Sequence, residues 1–387
     1  MFGANHSNVK KMRESGIELL KLIAILDIML GHCIQTLSSE NPYVAGSEYI
    51  MDLSAATNNM QNLFLSFFRI FLPGVLIFFI CVSWFLLESN STDFKRIFYM
   101  ISEIWFISVA ILIVMLVVRT GDIQPGLILS SLFPSTFATN WYMTCYILIY
   151  LLHPILNGLI YGMDKKRHFR CVAILSGLYI FINYFKNIIG KSGFFFTNWL
   201  VTWITVYFIV AYMKIYLMEF CNSTKANLRL FMFGAGGHVF LFILTDIIGL
   251  YTPMMKNKLL IWNVECSPFY IMACIAMFNL FRRFKFQSKG INYVSSLTLI
   301  MYITHENILI RNYIRPYIFK YIYEQFGYDF IVLWVLIITV LTFIISFILG
   351  AFYDIFLKQS VKRISDMVFE CIKKKYLKLE ARIIKLK

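Results

Sequence analysis

Lys21 and His32 are the residues of the first apolar segment, GIELLKLIAILDIMLGHC, that are suited to chemistry. Eleven helical steps bring the second residue to within about 20° of the first, with a rise of about 16 Å between them. A histidine can take a proton from a hydroxyl acceptor near neutral pH, as acyl transfer to a sugar alcohol requires. A cation lower on the same face can hold an anionic donor. The spacing therefore predicts His32 as a base and Lys21 as a donor contact.

Two structural interpretations stand beside this functional one. Glu18 precedes Lys21 by three residues, so the two charges can neutralise each other as an intrahelical ion pair. His32 can also be a histidine that only packs between helices. The sequence alone leaves both alternatives open.

The composition is that of an integral membrane protein, with 59% hydrophobic and 15% charged residues. Ionisable groups inside such a protein line the bundle interior or a wet cavity far more often than they face lipid. The cations behind the formal charge of +15 lie in short loops and in the tail, where anionic headgroups attract them. Membrane lipids are therefore the expected partners of these cations, and nucleic acid is not.

Apolar runs of about 20 residues predict an all-α fold, a bundle of about ten transmembrane helices. The runs cover residues 17–37, 63–87, 97–118, 141–160, 169–189, 198–218, 227–249, 259–281, 293–314 and 328–357. They form a predicted membrane domain over residues 1–357. In the charged segment 358–387, apolar residues recur at helical spacing among lysines. This pattern predicts a basic amphipathic helix on the inner leaflet, with a solvated tail as the alternative.

Charged loops predict the orientation of the chain, because Lys and Arg collect in cytoplasmic loops. The basic clusters flank alternate ends of the runs and comprise Lys10, Lys11, Arg13, Lys95, Arg96, Lys165, Lys166, Arg167, Arg170, Arg282, Arg283, Lys285 and Lys289. The first outer loop instead carries Glu40, Glu48 and Asp52. Both termini are therefore predicted to be cytoplasmic, in a multi-pass protein of the plasma or inner membrane.

Polar residues of four predicted helices reach one depth near the outer side. A rise of 1.5 Å per residue puts His32 about 22 Å above the start of its helix and His305 about 18 Å above the start of the ninth. The other residues at this level are Arg69, Trp141, Tyr142 and Glu306. Their common depth predicts a polar cavity open to the outside, with His32 and His305 as its titratable members.

The eight cysteines lie in separate segments without CxxC or His-rich spacing, which predicts neither a metal site nor a disulfide framework. They are expected to pack as small apolar residues. The chain also has no phosphate-cradling glycine loop and no GxSxG motif. A soluble nucleotide-binding or hydrolase domain is therefore not predicted.

Several segments, in their order and spacing, resemble the acyltransferase 3 family of multi-spanning membrane O-acyltransferases. The opening segment RESGIELLKLIAILDIMLGHC is similar to the family's signature of a basic residue, ten residues and a histidine. Further similar segments are FFRIFLPGVLIFFICVSWFLL, NWYMTCYILIYLLHPILN, YFIVAYMKIY, SPFYIMACIAMFNLFRRFKF and INYVSSLTLIMYITHENILIR. The chain differs at two places: Lys21 stands where the family usually has Arg, and Val82, Ser83 and Trp84 stand where it has a Ser-Gly-aromatic turn.

The resemblance implies transfer of an acyl group, usually acetyl from cytoplasmic acetyl-CoA, to an extracytoplasmic polysaccharide or lipid-linked glycan of the cell envelope. It implies His32 as the essential histidine, acting as general base or transient acyl carrier. It implies Lys21 as the second catalytic residue, which supplies a point charge to the donor rather than the bidentate fork of Arg. We expect further donor contacts from Lys95, Arg96, Arg282 and Arg283, and acceptor contacts from Arg69, Trp141, Tyr142, His305 and Glu306.

A transporter or flippase and a glycan polymerase are the alternatives to this function. A transporter predicts related halves with broken helices, and the sequence shows no such symmetry. A polymerase predicts large outer loops, whereas only the loop over residues 38–62 is long. Pairing of two chains through the tail or that loop stays open.

Overall fold

A computed structural model of the chain describes residues 14–37, 44, 59–71, 74–118, 123–137, 139–189, 199–253 and 267–385. Every regular element in these ranges is helical. The first ten helices are α1 (Ser15–Leu37), α2 (Met60–Phe71), α3 (Gly74–Leu86), α4 (Phe94–Val118), α5 (Pro125–Leu132), α6 (Trp141–Tyr161), α7 (Lys165–Ile189), α8 (Trp199–Tyr216), α9 (Met218–Asn222) and α10 (Thr224–Tyr251). The last six are α11 (Pro268–Arg282), α12 (Lys289–Ser296), α13 (Thr298–His305), α14 (Arg315–Phe326), α15 (Ile331–Phe352) and α16 (Lys358–Lys385).

The length and composition of the helices are those of a membrane protein. Four helical stretches are long and apolar enough to cross a bilayer: Phe94–Val118, Trp141–Tyr161, Thr224–Tyr251 and Ile331–Leu377. Shorter apolar helices accompany them at Gly74–Leu86, Leu200–Tyr216 and Pro268–Arg282. Ten crossings and the side of each terminus stay predictions. The predicted N-terminal cluster at Lys10, Lys11 and Arg13 and the acids at Glu40, Glu48 and Asp52 lie outside the described residues.

Helix α1 packs against many other helices, because apolar residues on several of its faces are buried. It packs against α2 and α3 and against α11 to α15. Leu20, Ala24 and Met29 on this helix are fully buried. Its first turn lies directly on the end of α11, where a Cβ at Gly16 would come within 2.3 Å of the Phe281 carbonyl oxygen. The charged residues of α1 are therefore held inside the bundle.

The second predicted span falls on the described helices α2 and α3. Helix α2 ends at Phe71 and α3 begins at Gly74, and residues 72 and 73 lie outside the described residues. The beginning of α3 lies against α1, because a Cβ at Gly74 would come within 2.4 Å of the Ala24 carbonyl oxygen. This close approach brings α3 beside α1 over the length that carries Lys21.

The ninth predicted span, residues 293–314, is not one continuous helix. Helix α12 ends at Ser296, α13 ends at His305, and a π-helical turn follows at Ile310–Ile314. Glu306 therefore comes directly after a helix end, with non-helical backbone angles. Carbonyl groups at a helix end lack intrahelical partners, so this break exposes backbone acceptors beside His305 and Glu306.

The charged tail is a continuation of the last long helix. A π-helical turn at Tyr353–Leu357 joins α15 to α16. Helix α16 then packs along the beginning of α4, where Lys95 and Asp366 form an ion pair at 3.2 Å and the Phe98 and Phe369 rings lie 5.7 Å apart. The beginning of the tail thus packs against the helix bundle. The position of the tail on a lipid leaflet stays a prediction.

Candidate functional site

Two histidines from distant parts of the chain meet where α1 passes the end of α13. The Nδ1 atom of His32 lies 3.1 Å from Nε2 of His305 and 3.0 Å from Oε2 of Glu306. His305 and Glu306 are buried, whereas 17% of the His32 side chain remains accessible. Sequence depth predicted that these three residues share a level, and the structure brings them into direct contact.

Hydrogen-bond partners fix which nitrogen of each neutral ring carries the proton. Nδ1 of His305 lies 2.8 Å from the Met301 carbonyl oxygen, which can only accept, so Nδ1 is the donor and Nε2 keeps its lone pair. Nδ1 of His32 then faces two acceptors, this Nε2 and the Glu306 carboxylate, and must itself be the donor. Nε2 of His32 is therefore left with a lone pair, as a general base needs.

Two arginines hold the Glu306 carboxylate in place. Nη1 of Arg311 lies 3.2 Å from Oε1, and Nη2 of Arg315 lies 3.0 Å from Oε2. The same Arg315 Nη2 donates to the His305 carbonyl oxygen at 2.5 Å, which satisfies an acceptor at the end of α13. A buried carboxylate is stable only when paired and hydrogen-bonded on several sides, and here it is. We call His32, His305, Glu306, Arg311 and Arg315 the His32 cluster.

The His32 cluster also contains a set of atoms that a metal ion could use. One ligand atom each of His32, His305 and Glu306 lies within 4.8 Å of the others, a grouping that sequence spacing did not predict. The two guanidinium groups on Glu306 oppose a cation there, because they already neutralise the only carboxylate of the three ligands. The residues therefore fit a hydrogen-bonded histidine better than a metal centre.

Lys21 forms the structural ion pair that the sequence left as an alternative. Its Nζ lies 2.7 Å from Oε2 of Glu18, and this carboxylate oxygen also accepts a hydrogen bond from the Ser295 hydroxyl. Yet 23% of the Lys21 side chain is accessible, and it lines a large cavity. Lys21 can therefore keep its ion pair with Glu18 and also contact an acyl donor in the cavity.

We call this space the Lys21 cavity. Its volume is about 1110 Å³. It is lined by Glu14, Ile17, Glu18, Lys21, Phe78, Cys81, Val82, Trp84, Phe85, Leu86, Glu88, Ser89, Arg96, Tyr146, Tyr150, Arg282, Lys285 and Gln287. Two of its cationic side chains lie over aromatic rings: the Arg96 guanidinium lies 5.4 Å from the Tyr150 ring centre and that of Arg282 lies 4.8 Å from the Trp84 ring centre. Such a lining suits a ligand with anionic groups and a flat ring system.

The predicted donor contacts divide into two groups. Lys21, Arg96 and Arg282 line the Lys21 cavity. Lys95 instead pairs with Asp366 on the tail helix, and the exposed Arg283 lies outside the lining. Lys95 and Arg96 are adjacent in sequence, as are Arg282 and Arg283, and adjacent residues point to different sides of a helix. One residue of each pair therefore lines the cavity and the other does not.

The predicted acceptor contacts lie in different surroundings. His305 and Glu306 belong to the His32 cluster, whereas Tyr142 packs among rings, 5.9 Å from Phe78 and 5.4 Å from Tyr302 between ring centres. The Trp141 ring contacts that of Tyr142 edge to face. The side chain of Arg69 lies outside the described residues.

Sequence analysis did not identify Arg311 and Arg315 as members of the site. Their signal was present: two cations follow Glu306 by five and nine residues within an otherwise apolar stretch. Cations near a buried acid in a membrane segment are expected to pair with it. The break after His305 hid this pairing, because a continuous helix would have placed Arg311 on another face.

Ser83 and Trp84 show how the chain fills the position of the Ser-Gly-aromatic turn. The Ser83 hydroxyl is buried and accepts a hydrogen bond from Nε1 of Trp203 at 3.1 Å. The Lys214 ammonium and the Arg282 guanidinium lie over the Trp84 ring, each 4.8 Å from the ring centre. The altered turn thus still packs closely on α8, through a hydrogen bond rather than a glycine.

Comparison with known proteins gives one family. A family model described as an acyltransferase domain matches residues 14–351, which include α1, the Lys21 cavity and the His32 cluster. No curated protein and no solved structure matches the chain significantly.

Proposed function

The chain belongs to the acyltransferase 3 family, and we propose that it moves an acetyl or other short acyl group from cytoplasmic acetyl-CoA to a hydroxyl of an extracytoplasmic polysaccharide or lipid-linked glycan. One observation carries the proposal. Nδ1 of His32 is held by Glu306 and His305, so that the Nε2 lone pair is available to a substrate. A histidine oriented by a carboxylate is the arrangement by which enzymes activate a hydroxyl group for acyl transfer.

The Lys21 cavity supports an acyl-CoA donor. Its cations, Lys21, Arg96 and Arg282, suit the phosphates, and the rings of Trp84 and Tyr150 suit a stacked adenine. Lys21 lies about 16 Å along α1 from His32, so the long pantetheine arm would carry the thioester toward the histidine. The donor contact Lys21 and the base His32 thus lie at two levels of helix α1.

The reaction follows from these positions. The acceptor hydroxyl gives its proton to Nε2 of His32 while its oxygen attacks the thioester carbonyl carbon. The tetrahedral intermediate then expels the CoA thiolate, which takes the proton from Nε2. Glu306 stabilises the transient imidazolium through the Nδ1 hydrogen bond, and Arg311 and Arg315 keep Glu306 oriented. The same Nε2 lone pair would serve if His32 carried the acyl group itself.

The finer topology is part of this proposal. Ten crossings with both termini cytoplasmic in the plasma or inner membrane would place Lys21 toward the acyl-CoA pool and His32 toward the envelope glycan. The tail over residues 358–387 would lie along the inner leaflet as a basic amphipathic helix. Lipids and the two substrates are then the main partners, and a homo-oligomer is compatible with the same arrangement.

The proposal is tested with His32→Ala in membranes of a host deleted for the gene. We expect acetyl transfer from labelled acetyl-CoA to envelope glycans to fall at least about 10²-fold, because a general base typically contributes that much or more. His168→Gln is the matched control, since His168 is buried on α7, where it contacts the Phe208 carbonyl oxygen and neighbouring rings, and it belongs to neither the Lys21 cavity nor the His32 cluster. Normal acylated glycan in the folded His32→Ala variant would contradict the mechanism. Glycans with identical acyl substituents with and without the protein would contradict the function.

A further inference from the structure

Tyr302 carries a buried hydroxyl group for which the described residues offer no hydrogen-bond partner of normal geometry. Only 5% of the residue is accessible. Buried tyrosine hydroxyls are nearly always hydrogen-bonded, because desolvating one without a partner costs stability. An unsatisfied hydroxyl at a candidate active site therefore indicates a hydrogen bond that forms when a substrate is bound.

The position of Tyr302 is between the donor space and the base. On α13 it precedes His305 by one helical turn, and its ring centre lies 5.7 Å from that of His305. On its other side the Tyr142 ring lies 5.4 Å away, and Tyr142 in turn contacts Phe78, which lines the Lys21 cavity. A continuous row of rings thus joins the Lys21 cavity to the His32 cluster. Tyr302 therefore lies in the row of rings between the Lys21 cavity and the His32 cluster.

The donors closest to the histidines already have acceptors. Nδ1 of His305 donates to the Met301 carbonyl oxygen, and Nη2 of Arg315 donates to Glu306 and to the His305 carbonyl oxygen. Acyl transfer places a negative charge on the thioester oxygen, and that charge needs a donor aimed at it. The Tyr302 hydroxyl is buried, its proton has no acceptor among the described residues, and it belongs to the row of rings between the two sites.

We infer that Tyr302 is a catalytic residue whose hydroxyl donates a hydrogen bond to the carbonyl oxygen of the acyl thioester. The inference rests on the proposed acyl transfer. As the acceptor oxygen bonds to the carbonyl carbon and its proton moves to Nε2 of His32, the carbonyl π electrons move to the oxygen, and the Tyr302 hydroxyl stabilises this oxyanion. When the carbonyl re-forms, the carbon–sulfur bond breaks and the thiolate leaves with the proton from His32. Tyr302 keeps its own proton throughout.

Tyr302→Phe tests the role, because it removes the hydroxyl and keeps the ring. The assay uses inverted membrane vesicles of the gene-deleted host carrying the full-length variant, with labelled acetyl-CoA and the native glycans of the vesicles. We expect kcat to fall about 10²- to 10³-fold, as for other lost oxyanion donors, with KM for acetyl-CoA changed less than about threefold. The melting temperature should stay equal or rise, because an unsatisfied buried hydroxyl has been removed.

Tyr207→Phe is the matched control. The Tyr207 hydroxyl is also buried, but it donates to Oδ1 of Asn157 at 2.7 Å, so its loss should lower the melting temperature and leave kcat per folded protein unchanged. An unchanged kcat in Tyr302→Phe, with active wild type, would overturn the inference and leave the proposed function standing. A melting temperature lowered as far as in Tyr207→Phe would also overturn it, since the hydroxyl would then have a structural partner. A wild-type protein that transfers no acetyl group would remove the proposed function and this inference together.

Discussion

Replacing Glu306 by Gln should weaken His32 through the loss of a charge rather than through its position. The carboxylate oxygen Oε2 accepts the Nδ1 proton of His32 at 3.0 Å and is also paired with Arg315, whereas Oε1 is paired with Arg311. An amide oxygen at the Oε2 position keeps both His32 and Arg315 as donors, so Nδ1 of His32 keeps its proton. The negative charge that stabilises the transient imidazolium would be lost.

The expected magnitude follows from this change. A hydrogen bond to a charged group contributes about 1.5–3 kcal/mol, so loss of the carboxylate charge should lower kcat about 10- to 10²-fold. The variant should also lose stability, because only 8% of the Arg315 side chain is accessible and its charge would lose its partner. Breaking a buried pair typically costs about 3–5 kcal/mol, so activity must be expressed per folded protein.

Incorporation of labelled acetyl groups into envelope glycans measures the effect, with the folded fraction determined by fluorescence-detected size exclusion. Glu103→Gln is the matched control, because Glu103 is also a buried carboxylate on a predicted span, and its hydrogen bonds within the described residues come from the Tyr99 and Tyr353 hydroxyls, at 2.8 and 3.0 Å. Both hydroxyls can donate equally well to an amide oxygen, so its kcat should be unchanged. A Glu306→Gln protein that retains kcat within about threefold would refute the reasoning on the carboxylate charge.

Two further predictions concern Lys21 on α1 and the close packing of α3 on α1. Lys21→Gln should raise KM for acetyl-CoA about 10-fold or more, since hydrogen bonds to charged groups contribute about 1.5–3 kcal/mol, whereas Lys21→Arg should preserve it. Lys358→Gln, whose lysine pairs with Asp354 outside the Lys21 cavity, is the control, and an equal KM in Lys21→Gln would remove Lys21 from the donor site. Gly74→Ala should destabilise the protein by about 1–3 kcal/mol, because the added Cβ would meet the Ala24 carbonyl oxygen at 2.4 Å. Gly158→Ala, which has no atom within 4 Å of its added Cβ, should be neutral in the same thermal unfolding measurement, and equal stabilities would contradict the close packing of α3 on α1.

The helix break after His305 marks the limit of what apolar runs can predict. The run 293–314 was predicted as one helix, and it contains the end of α12, all of α13 and a π-helical turn. Hydropathy averages over a window and does not detect an interruption of a few residues. The end of α13 at His305 has no proline or glycine nearby that would signal it. The sequence analysis associated broken helices with a transporter, whereas the structure shows one in a chain that belongs to the acyltransferase 3 family.

The sequence by itself determined the membrane character of the chain, its family, and the presence of His32 and Lys21 on one face of α1. These properties depend on composition and on a helical repeat that spans only eleven residues, so they can be read without knowing the fold. Tertiary structure decided the partners. His32 meets His305 across 273 residues of sequence, and Glu18 meets Ser295 across 277. Such contacts depend on how α1 packs against α12 and α13, and no local period encodes that packing.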